Sequence, residues 1–161
     1  MKSRDLSFTT LDEILADIHA LPSEGLTASG NWSPAGNVDH VAKFLRFSAE
    51  GFPEGKPPLP MRLAFRLMIK VLGKRLFLMK LKPGRVTLPA AMDWAMPEEG
   101  LAWPDAVKRL EDAVASAKRH GMKQPSPIAG HLSEERWTML HCRHAEMHLG
   151  LIQLPGETTG A

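Results

Sequence analysis

The C-terminal stretch Ser133-Glu-Glu-Arg-Trp-Thr-Met-Leu-His-Cys-Arg-His-Ala-Glu-Met-His-Leu-Gly-Leu-Ile-Gln153 is the basis for both the expected fold class and the candidate site. In it, His144 and His148 are four residues apart. Residues at this spacing lie on one face of a helix, with Cβ atoms roughly 5–6 Å apart. Two imidazoles placed in this way can bind one metal ion. A third histidine from elsewhere would complete an open three-ligand site with a coordination position left for water or substrate.

His40 is the candidate for the third ligand. It lies in Asn31-Trp-Ser-Pro-Ala-Gly-Asn-Val-Asp-His40, in a second predicted helix and on or beside the apolar face of that helix. Taken alone, each of the three histidines is more typical of a buried, hydrogen-bonded side chain than of a metal ligand. Together they predict a divalent metal site, because such sites in helical bundles are built from inward-facing side chains on separate helices. An Asp or Glu in place of one ligand remains open at this point.

His141 shares the broad face of His144 and His148 and complicates the choice of ligands. Three ligands from one straight helix would span about 10 Å at a rise of 1.5 Å per residue. This span is too long for one ion, since Zn–N distances are about 2.0–2.1 Å. One of these three histidines must therefore have another role, and the four-residue spacing favours His144 and His148 as the ligands. For His141, a role as a ligand, as a proton-transfer group or as a partner that orients a ligand remains open, and we name His141 and Asp39 as candidate catalytic groups.

Helical periods run along most of the chain and predict an all-α protein. The sequence favours helices from Leu11 to about Leu21, from Ser33 to near Ser48, from Leu63 to Leu81 with a break at Gly73, from Pro104 to Gly121, and from Ser133 to about Leu151. We interpret the aperiodic segment 86–103 as a long ordered loop, and no segment shows the pattern of a strand. The expected architecture is one domain over residues 1–161: four main helices in a bundle, one extra helix and a long crossover.

Composition limits the class of protein further. The single cysteine, Cys142, excludes an internal disulfide, fits a reducing cytoplasm and is interpreted as a packed thiol. The N-terminus lacks the apolar core of a signal peptide, so we expect a cytoplasmic protein. The most apolar stretch, Leu63 to Leu81, contains five basic residues, which exclude a transmembrane helix. We interpret Trp32 and Trp137 as core anchors rather than substrate platforms, and we leave open that they shape the pocket wall.

The net charge of +2 hides a basic segment from Lys56 to Arg85, which holds nine Lys or Arg and no Asp or Glu. The rest of the chain holds eleven basic and eighteen acidic residues, a balance of −7. The favoured interpretation is that this segment packs beside the acidic helices of the same chain. The alternative is that it meets phosphate, an anionic membrane or an acidic small molecule.

Two stretches resemble the DinB-like superfamily, which includes the YfiT-like metal-dependent hydrolases. The segment from Trp32 to His40 is similar to the family's tryptophan followed eight residues later by a helix histidine. The segment 126–149 resembles a branch classed as a domain of unknown function, in which a Gly-x-Leu-Ser/Thr turn precedes Glu-Trp and a His-x-x-His-His-Leu helix. Here Arg136 replaces the usual Glu, and Met147 replaces the first histidine of the His-His pair. The resemblance implies a DinB-like four-helix bundle with a divalent metal held by His40, His144 and His148.

Three functional interpretations follow. The first is an enzyme that uses Zn²⁺, Ni, Fe or Mn, with Zn²⁺ preferred, as a transferase or a hydrolase. Superfamily members of known activity include transferases and an isomerase that use low-molecular-weight thiols, so the resemblance implies a small-molecule substrate of that kind. The second is a non-catalytic small-ligand-binding or stress-response module without bound metal.

The third and least favoured interpretation is contact of the Lys56–Arg85 segment with an anionic membrane or nucleic acid. For partners, we expect no membrane insertion, we disfavour nucleic acid, and we leave a homodimer open.

Overall fold

The computed structural model describes residues 3–81 and 90–156, and this part of the chain is mostly helical. The elements in chain order are α1 (Leu11–His19), β1 (Thr27–Ala28), α2 (Pro34–Glu50), α3 (Leu59–Leu72), α4 (Lys74–Leu78), a short 3₁₀ helix (Ala90–Ala95), α5 (Trp103–His120), α6 (Glu134–Leu149) and β2 (Ile152–Gln153). The predicted predominance of helix is confirmed. No helix within the described ranges has both the length and the apolar character needed to cross a membrane.

The starts of the helices follow from local sequence chemistry. Thr10 and Glu13 form a reciprocal capping box at the start of α1. The hydroxyls of Ser33 and Ser133 each accept a backbone N–H three residues further along, at the starts of α2 and α6. Pro34 occupies the first turn of α2, where its missing N–H costs no helical hydrogen bond. The two helices that carry the candidate ligands therefore begin where the sequence predicts.

Four helices, α1, α2, α5 and α6, surround the main core. The helix α2 packs against α5 and α6, and α1 packs against the same two helices. Burial of one large apolar side chain contributes about 1.5–3 kcal/mol, so the shared core holds these helices in place. The largest fully buried apolar side chains of this core are Ile14, Ile18, Val38, Val41, Leu45, Leu110, Val114, Trp137, Leu149 and Ile152.

The connection from α2 to α5 contains α3, α4 and the 3₁₀ helix. The predicted break of the basic helix at Gly73 is confirmed. Gly73 has a φ of 55°, which a residue with a side chain rarely adopts, and it separates α3 from α4. The 3₁₀ helix lies within the segment that we expected to be an irregular loop. Residues 86–89 of that predicted loop lie outside the described residues.

The sequence did not predict the small antiparallel sheet. Thr27 pairs with Gln153, and Ala28 pairs with Ile152. Strands of two residues are too short to show an alternating pattern, so the pairing comes from tertiary contact rather than from local preference. The sheet joins the chain just before α2 to the chain just after α6, and it therefore ties together the two helices that carry the histidines.

Candidate metal centre

The helices α2 and α6 bring His40, His144 and His148 together. One ring nitrogen from each histidine lies within 4.8 Å of the other two. The Nε2 atoms of His40 and His144 are 3.1 Å apart. His40 is buried, whereas His144 and His148 are partly exposed. The prediction that these three histidines form one cluster that could hold a metal ion is confirmed. We call these three residues the histidine cluster.

The protonation of His40 is set by a backbone carbonyl. Its Nδ1–H donates a hydrogen bond of 2.5 Å to the carbonyl oxygen of Ala95. In a neutral imidazole this leaves Nε2 as the nitrogen with the free lone pair, and that atom faces His144. Histidines that bind metals commonly donate their other ring N–H to such a carbonyl, which fixes the tautomer and the ring orientation. The sequence could not reveal this partner, because any residue at position 95 supplies the same carbonyl.

The other two histidines each have a buried nitrogen without a hydrogen-bond partner in the described part of the chain. These atoms are Nδ1 of His144 and Nδ1 of His148. A buried polar atom with no partner costs free energy unless a bound group or a water satisfies it. The cluster thus combines a free lone pair on His40 with two rings whose hydrogen bonding is incomplete. This is the chemistry expected of residues that fit a cation.

Burial keeps the three rings neutral. It lowers the pKa of His148 to about 3 and holds the pKa of His144 well below its ordinary value of 6.5. Burial also lowers the pKa of His40, against the opposing effect of the hydrogen bond to Ala95. Neighbouring imidazoles lower the pKa values of His144 and His148 further, because two positive charges at this distance repel each other. The rings are therefore in the neutral form that binds a metal.

Aromatic rings line the cluster. The indole of Trp32 stacks on His148 with a centroid distance of 5.3 Å and an interplanar angle of 18°, and it lies 4.7 Å from the ring of His40. Phe44 lies 5.0 Å from the ring of His144. Trp32 is only partly buried, so the favoured role as a core anchor is wrong for this residue, and its ring contacts fit the alternative of a pocket wall.

His141 lies outside the histidine cluster as the structure describes it. Its Nε2 is 3.0 Å from Oγ of Ser48, whose own hydroxyl donates to the carbonyl of Leu45. The Nε2–H of His141 therefore donates to Ser48. The ring also stacks on Trp137 at an interplanar angle of 12°, and burial lowers its pKa to about 3. These contacts are those of a neutral core histidine, and the suggested catalytic role of His141 stays a prediction.

Asp39 is buried, and all its described contacts are structural. Its carboxylate is 2.9 Å from both the ammonium of Lys43 and the guanidinium of Arg109, and it accepts the backbone N–H of Glu98 at 2.9 Å. Burial raises the pKa of Asp39, but these hydrogen bonds outweigh that effect and leave the pKa below its ordinary value. The carboxylate is therefore ionised and engaged by three partners. Its suggested catalytic role likewise stays a prediction.

Together, three side chains of α2 hold the segment 95–98 against that helix. Asp39 binds the backbone of Glu98, His40 binds the carbonyl of Ala95, and Lys43 donates to the carbonyl of Met96 at 2.7 Å. The segment lacks a periodic pattern, so the sequence indicated only an ordered loop. Its order comes from these polar contacts, and it supplies the hydrogen bond that orients His40.

A cavity of about 170 Å³ lies elsewhere, between α3 and the turn before α6. Among the described residues, its lining includes Lys56, Arg62, Arg66 and His131 and no acidic side chain. None of the lining residues belongs to the histidine cluster. Cys142 also lies outside the histidine cluster. Its burial confirms the prediction of a packed side chain, and burial raises the pKa of its thiol to about 11.

Comparison with known proteins identifies the family but not an activity. No curated protein matches the chain, and no solved structure matches it. A family model described as "Protein of unknown function (DUF1569)" matches residues 1–154. Because that match covers nearly the whole chain, the protein belongs to this family of unknown function.

Proposed function

We propose that the protein binds one divalent metal ion through His40, His144 and His148, with Zn²⁺ preferred over Ni, Fe and Mn. The observation that carries this proposal is the convergence of three neutral imidazoles within 4.8 Å, one of which is oriented by the Ala95 carbonyl. We further propose that residues 1–161 form a single bundle domain of the DinB-like type. The family resemblance of the two histidine segments supports that assignment.

The distances in the cluster suit a tetrahedral ion. Two nitrogens at about 2.0–2.1 Å from a tetrahedral Zn²⁺ stand about 3.3–3.4 Å apart. The Nε2 atoms of His40 and His144 are already 3.1 Å apart. The upper limit of 4.8 Å within the cluster exceeds the tetrahedral value by about 1.5 Å at most, which rotation of side chains supplies. No described carboxylate joins the group, so one coordination position remains for a small molecule.

We propose a thiol-dependent transferase or a hydrolase as the activity, with a low-molecular-weight thiol as the favoured cosubstrate. A divalent ion in this site would supply a Lewis acid that lowers the pKa of a water or a thiol. The residues of the chain hold and shape the site. Ala95 keeps the lone pair of His40 directed at the cluster, and Trp32 restrains the ring of His148.

The test uses protein purified without a metal-affinity tag. Elemental analysis should find close to one divalent ion per chain. After replacement by Co²⁺, the visible spectrum should show tetrahedral bands, and addition of a small monothiol should produce a sulfur-to-cobalt charge-transfer band. Absence of any metal, even after incubation with Zn²⁺ or Co²⁺, would contradict the metal site. Cobalt binding without a response to thiols would leave the metal site standing and would remove thiol activation.

A non-catalytic small-ligand or stress-response module without metal is the second candidate. One observation favours it: the 3.1 Å separation between Nε2 of His40 and Nε2 of His144 also fits a hydrogen bond between two neutral rings. In that case the protein should be stable, soluble and metal-free as purified, and added Zn²⁺ should leave its melting temperature unchanged. A rise in melting temperature with Zn²⁺ concentration would exclude this candidate.

A further inference from the structure

Exposed large hydrophobic side chains are concentrated in one short segment. Twelve such side chains are found among the described residues, and ten of them lie between Leu59 and Leu81. The helix α3 has no buried residue along its whole length. Isolated exposed apolar residues are normal on a protein surface, whereas a contiguous patch marks a surface that contacts a partner or a membrane. We call the segment Leu59–Leu81 the basic hairpin.

The helix α3 has apolar residues on two opposite sides. Phe65 and Ile69 are partly buried, and their side of the helix also lines the cavity beside the turn before α6. On the opposite side, Leu63, Leu67 and Val71 are four residues apart and form one stripe along the helix. Their exposed fractions are 55%, 61% and 72%. The inner side explains why α3 rests on the protein, but nothing in the described structure covers the outer stripe.

The basic hairpin is attached to the helix that carries two of the candidate ligands. The helix α4 packs on α6, with Phe77 buried beneath the guanidinium of Arg136. Lys74 forms an ion pair of 2.7 Å with Glu135 of α6. These contacts hold the hairpin from its inner side. The outer stripe therefore lies on a segment that contacts of α4 with α6 hold in place.

The segment that carries the outer stripe is also strongly basic. The sequence from Lys56 to Arg85 has nine basic and no acidic residues. In this segment, Lys70 and Arg75 are exposed, and neither forms an ion pair with another described residue. A helix with an apolar stripe and basic residues beside it is typical of segments that lie in the interface of an anionic membrane. The apolar side chains enter the boundary between head groups and acyl chains, and the basic side chains contact lipid phosphates.

We propose that the outer stripe of α3, with Leu63, Leu67 and Val71, docks the protein on the surface of an anionic lipid membrane. The helix lies on the membrane and does not cross it, because 14 residues extend only about 21 Å, less than the roughly 30 Å hydrocarbon core. This inference does not depend on the proposed metal site.

Two other occupants fit the surface less well. A symmetric dimer through this face would bring together two copies of a segment with nine basic and no acidic residues, and these would repel each other. A nucleic acid would satisfy the basic residues but would leave Leu67 and Val71 in water. An anionic lipid surface satisfies both the charge and the apolar stripe.

The test measures flotation of the full chain with vesicles of phosphatidylcholine alone or with added phosphatidylserine. The protein should bind the anionic vesicles and not the neutral ones, and binding should weaken as salt rises. The double variant Leu67→Gln/Val71→Gln should lose at least roughly tenfold in affinity, because it removes the apolar contact. The double variant Lys70→Gln/Arg75→Gln should lose about 25-fold, at about fivefold for each basic residue.

Matched controls replace residues of the same type outside the hairpin. Leu154→Gln removes an exposed leucine, and Arg119→Gln removes an exposed arginine of α5. Both should bind vesicles as the parent does, and circular dichroism should show all variants folded, since every changed side chain is exposed.

Equal binding to neutral and anionic vesicles, or no binding at low salt, would overturn the proposal. So would a dimer in analytical ultracentrifugation that Leu67→Gln/Val71→Gln converts to a monomer. Tight duplex DNA binding that persists in the apolar variant, without vesicle binding, would assign the surface to nucleic acid instead.

Discussion

His40 has one nitrogen bonded to the Ala95 carbonyl, and this contact determines what its other nitrogen can do. The free lone pair on Nε2 needs either a proton donor or a cation beside it. His144 is close enough to supply the proton in the absence of metal, at 3.1 Å. A metal ion would replace that hydrogen bond by two coordination bonds, with the proton of His144 carried on its Nδ1 instead of Nε2. The same geometry therefore explains how the cluster persists without an ion and how it would accept one.

Removal of any one ligand should abolish tight metal binding. We expect His40→Ala and His148→Ala each to weaken Zn²⁺ affinity by more than roughly 100-fold. Loss of a residue that only orients a ligand already lowers metal affinity by about 10–100-fold, so loss of the ligand itself should lower it further. Competition with a chromophoric chelator measures the affinity. His120→Ala changes an exposed histidine of α5 and should bind as the parent does. His141→Ala should also keep the metal.

The His40 variant is the decisive one for the ligand set. If His40→Ala binds Zn²⁺ as tightly as the parent, the three-histidine assignment is wrong. A carboxylate or His141 would then have to occupy the third position.

The two tryptophans near the histidines should respond differently to truncation. Trp137 is fully buried and stacks on His141, so Trp137→Ala should lower the free energy of unfolding by about 3–5 kcal/mol. Trp32 is partly exposed, so Trp32→Ala should cost only about 1–2 kcal/mol from lost ring contacts, while it weakens metal binding through His148. Urea denaturation measures both values. A cost below about 1 kcal/mol for Trp137→Ala would contradict its place in the core.

At the scale of elements, α2 organises the site through its side chains as well as through its core face. The capping residue and the apolar spacing of α2 were visible in the sequence, and so was the position of His40 on it. The contacts of Asp39 and Lys43 with the segment 95–98 were not visible in the sequence. That segment has no helical period, and it contributes only backbone atoms to these contacts. The small sheet was missed for the same physical reason, since tertiary contact determines it.

Neutralising Asp39 should therefore loosen the segment that orients His40. Asp39→Asn removes a buried negative charge from Lys43 and Arg109 and should lower the free energy of unfolding by about 2–3 kcal/mol. Metal affinity should fall by about 10–100-fold, because the Ala95 carbonyl is held less firmly. Chemical denaturation and the chelator competition report the two effects separately.

Glu50→Gln provides the matched control for this prediction. It removes an acidic charge from the same helix, but its ion pair with Arg46 is long, at 3.8 Å, and about half exposed. The amide oxygen of Gln keeps an acceptor for the hydrogen bond of 2.8 Å that the Ser116 hydroxyl donates to Glu50. Such a surface pair contributes about 0–1 kcal/mol. If Asp39→Asn behaves like Glu50→Gln in both assays, the carboxylate of Asp39 does not hold the segment 95–98.

At the scale of the whole molecule, the sequence predicted the cluster better than it predicted the surface. His40 and His144 are 104 residues apart, yet each lies in a local pattern that signals a helix, and helices that share a core bring such patterns together. The basic segment was expected to pack beside acidic helices. Lys74 does pair with Glu135, but no part of the chain that the structure describes covers the outer stripe of α3. A helix with two apolar sides does not reveal from its sequence which side faces the protein.

Buried neutral histidines should make the whole fold sensitive to acid. Burial lowers the pKa of His141 to about 3, whereas the unfolded chain binds a proton at that residue near pH 6.5. Between these two values the unfolded state holds more protons than the folded state. Stability should therefore fall as the pH drops from about 6.5, by up to about 1.4 kcal/mol per pH unit for each such histidine.

Urea denaturation of metal-free protein between pH 7 and pH 5 tests this slope in a window above the titration of carboxylates. His141→Gln keeps a neutral donor near Ser48 but cannot be protonated, so its stability should vary less with pH than that of the parent. His120→Gln changes an exposed histidine and should leave the slope unchanged. Equal slopes for the parent and His141→Gln would show that His141 does not contribute. A parent stability that is constant from pH 7 to pH 5 would contradict the lowered pKa values of His141 and of the histidine cluster. If those pKa values are lowered by burial, each of these neutral rings binds a proton when the chain unfolds in this pH range.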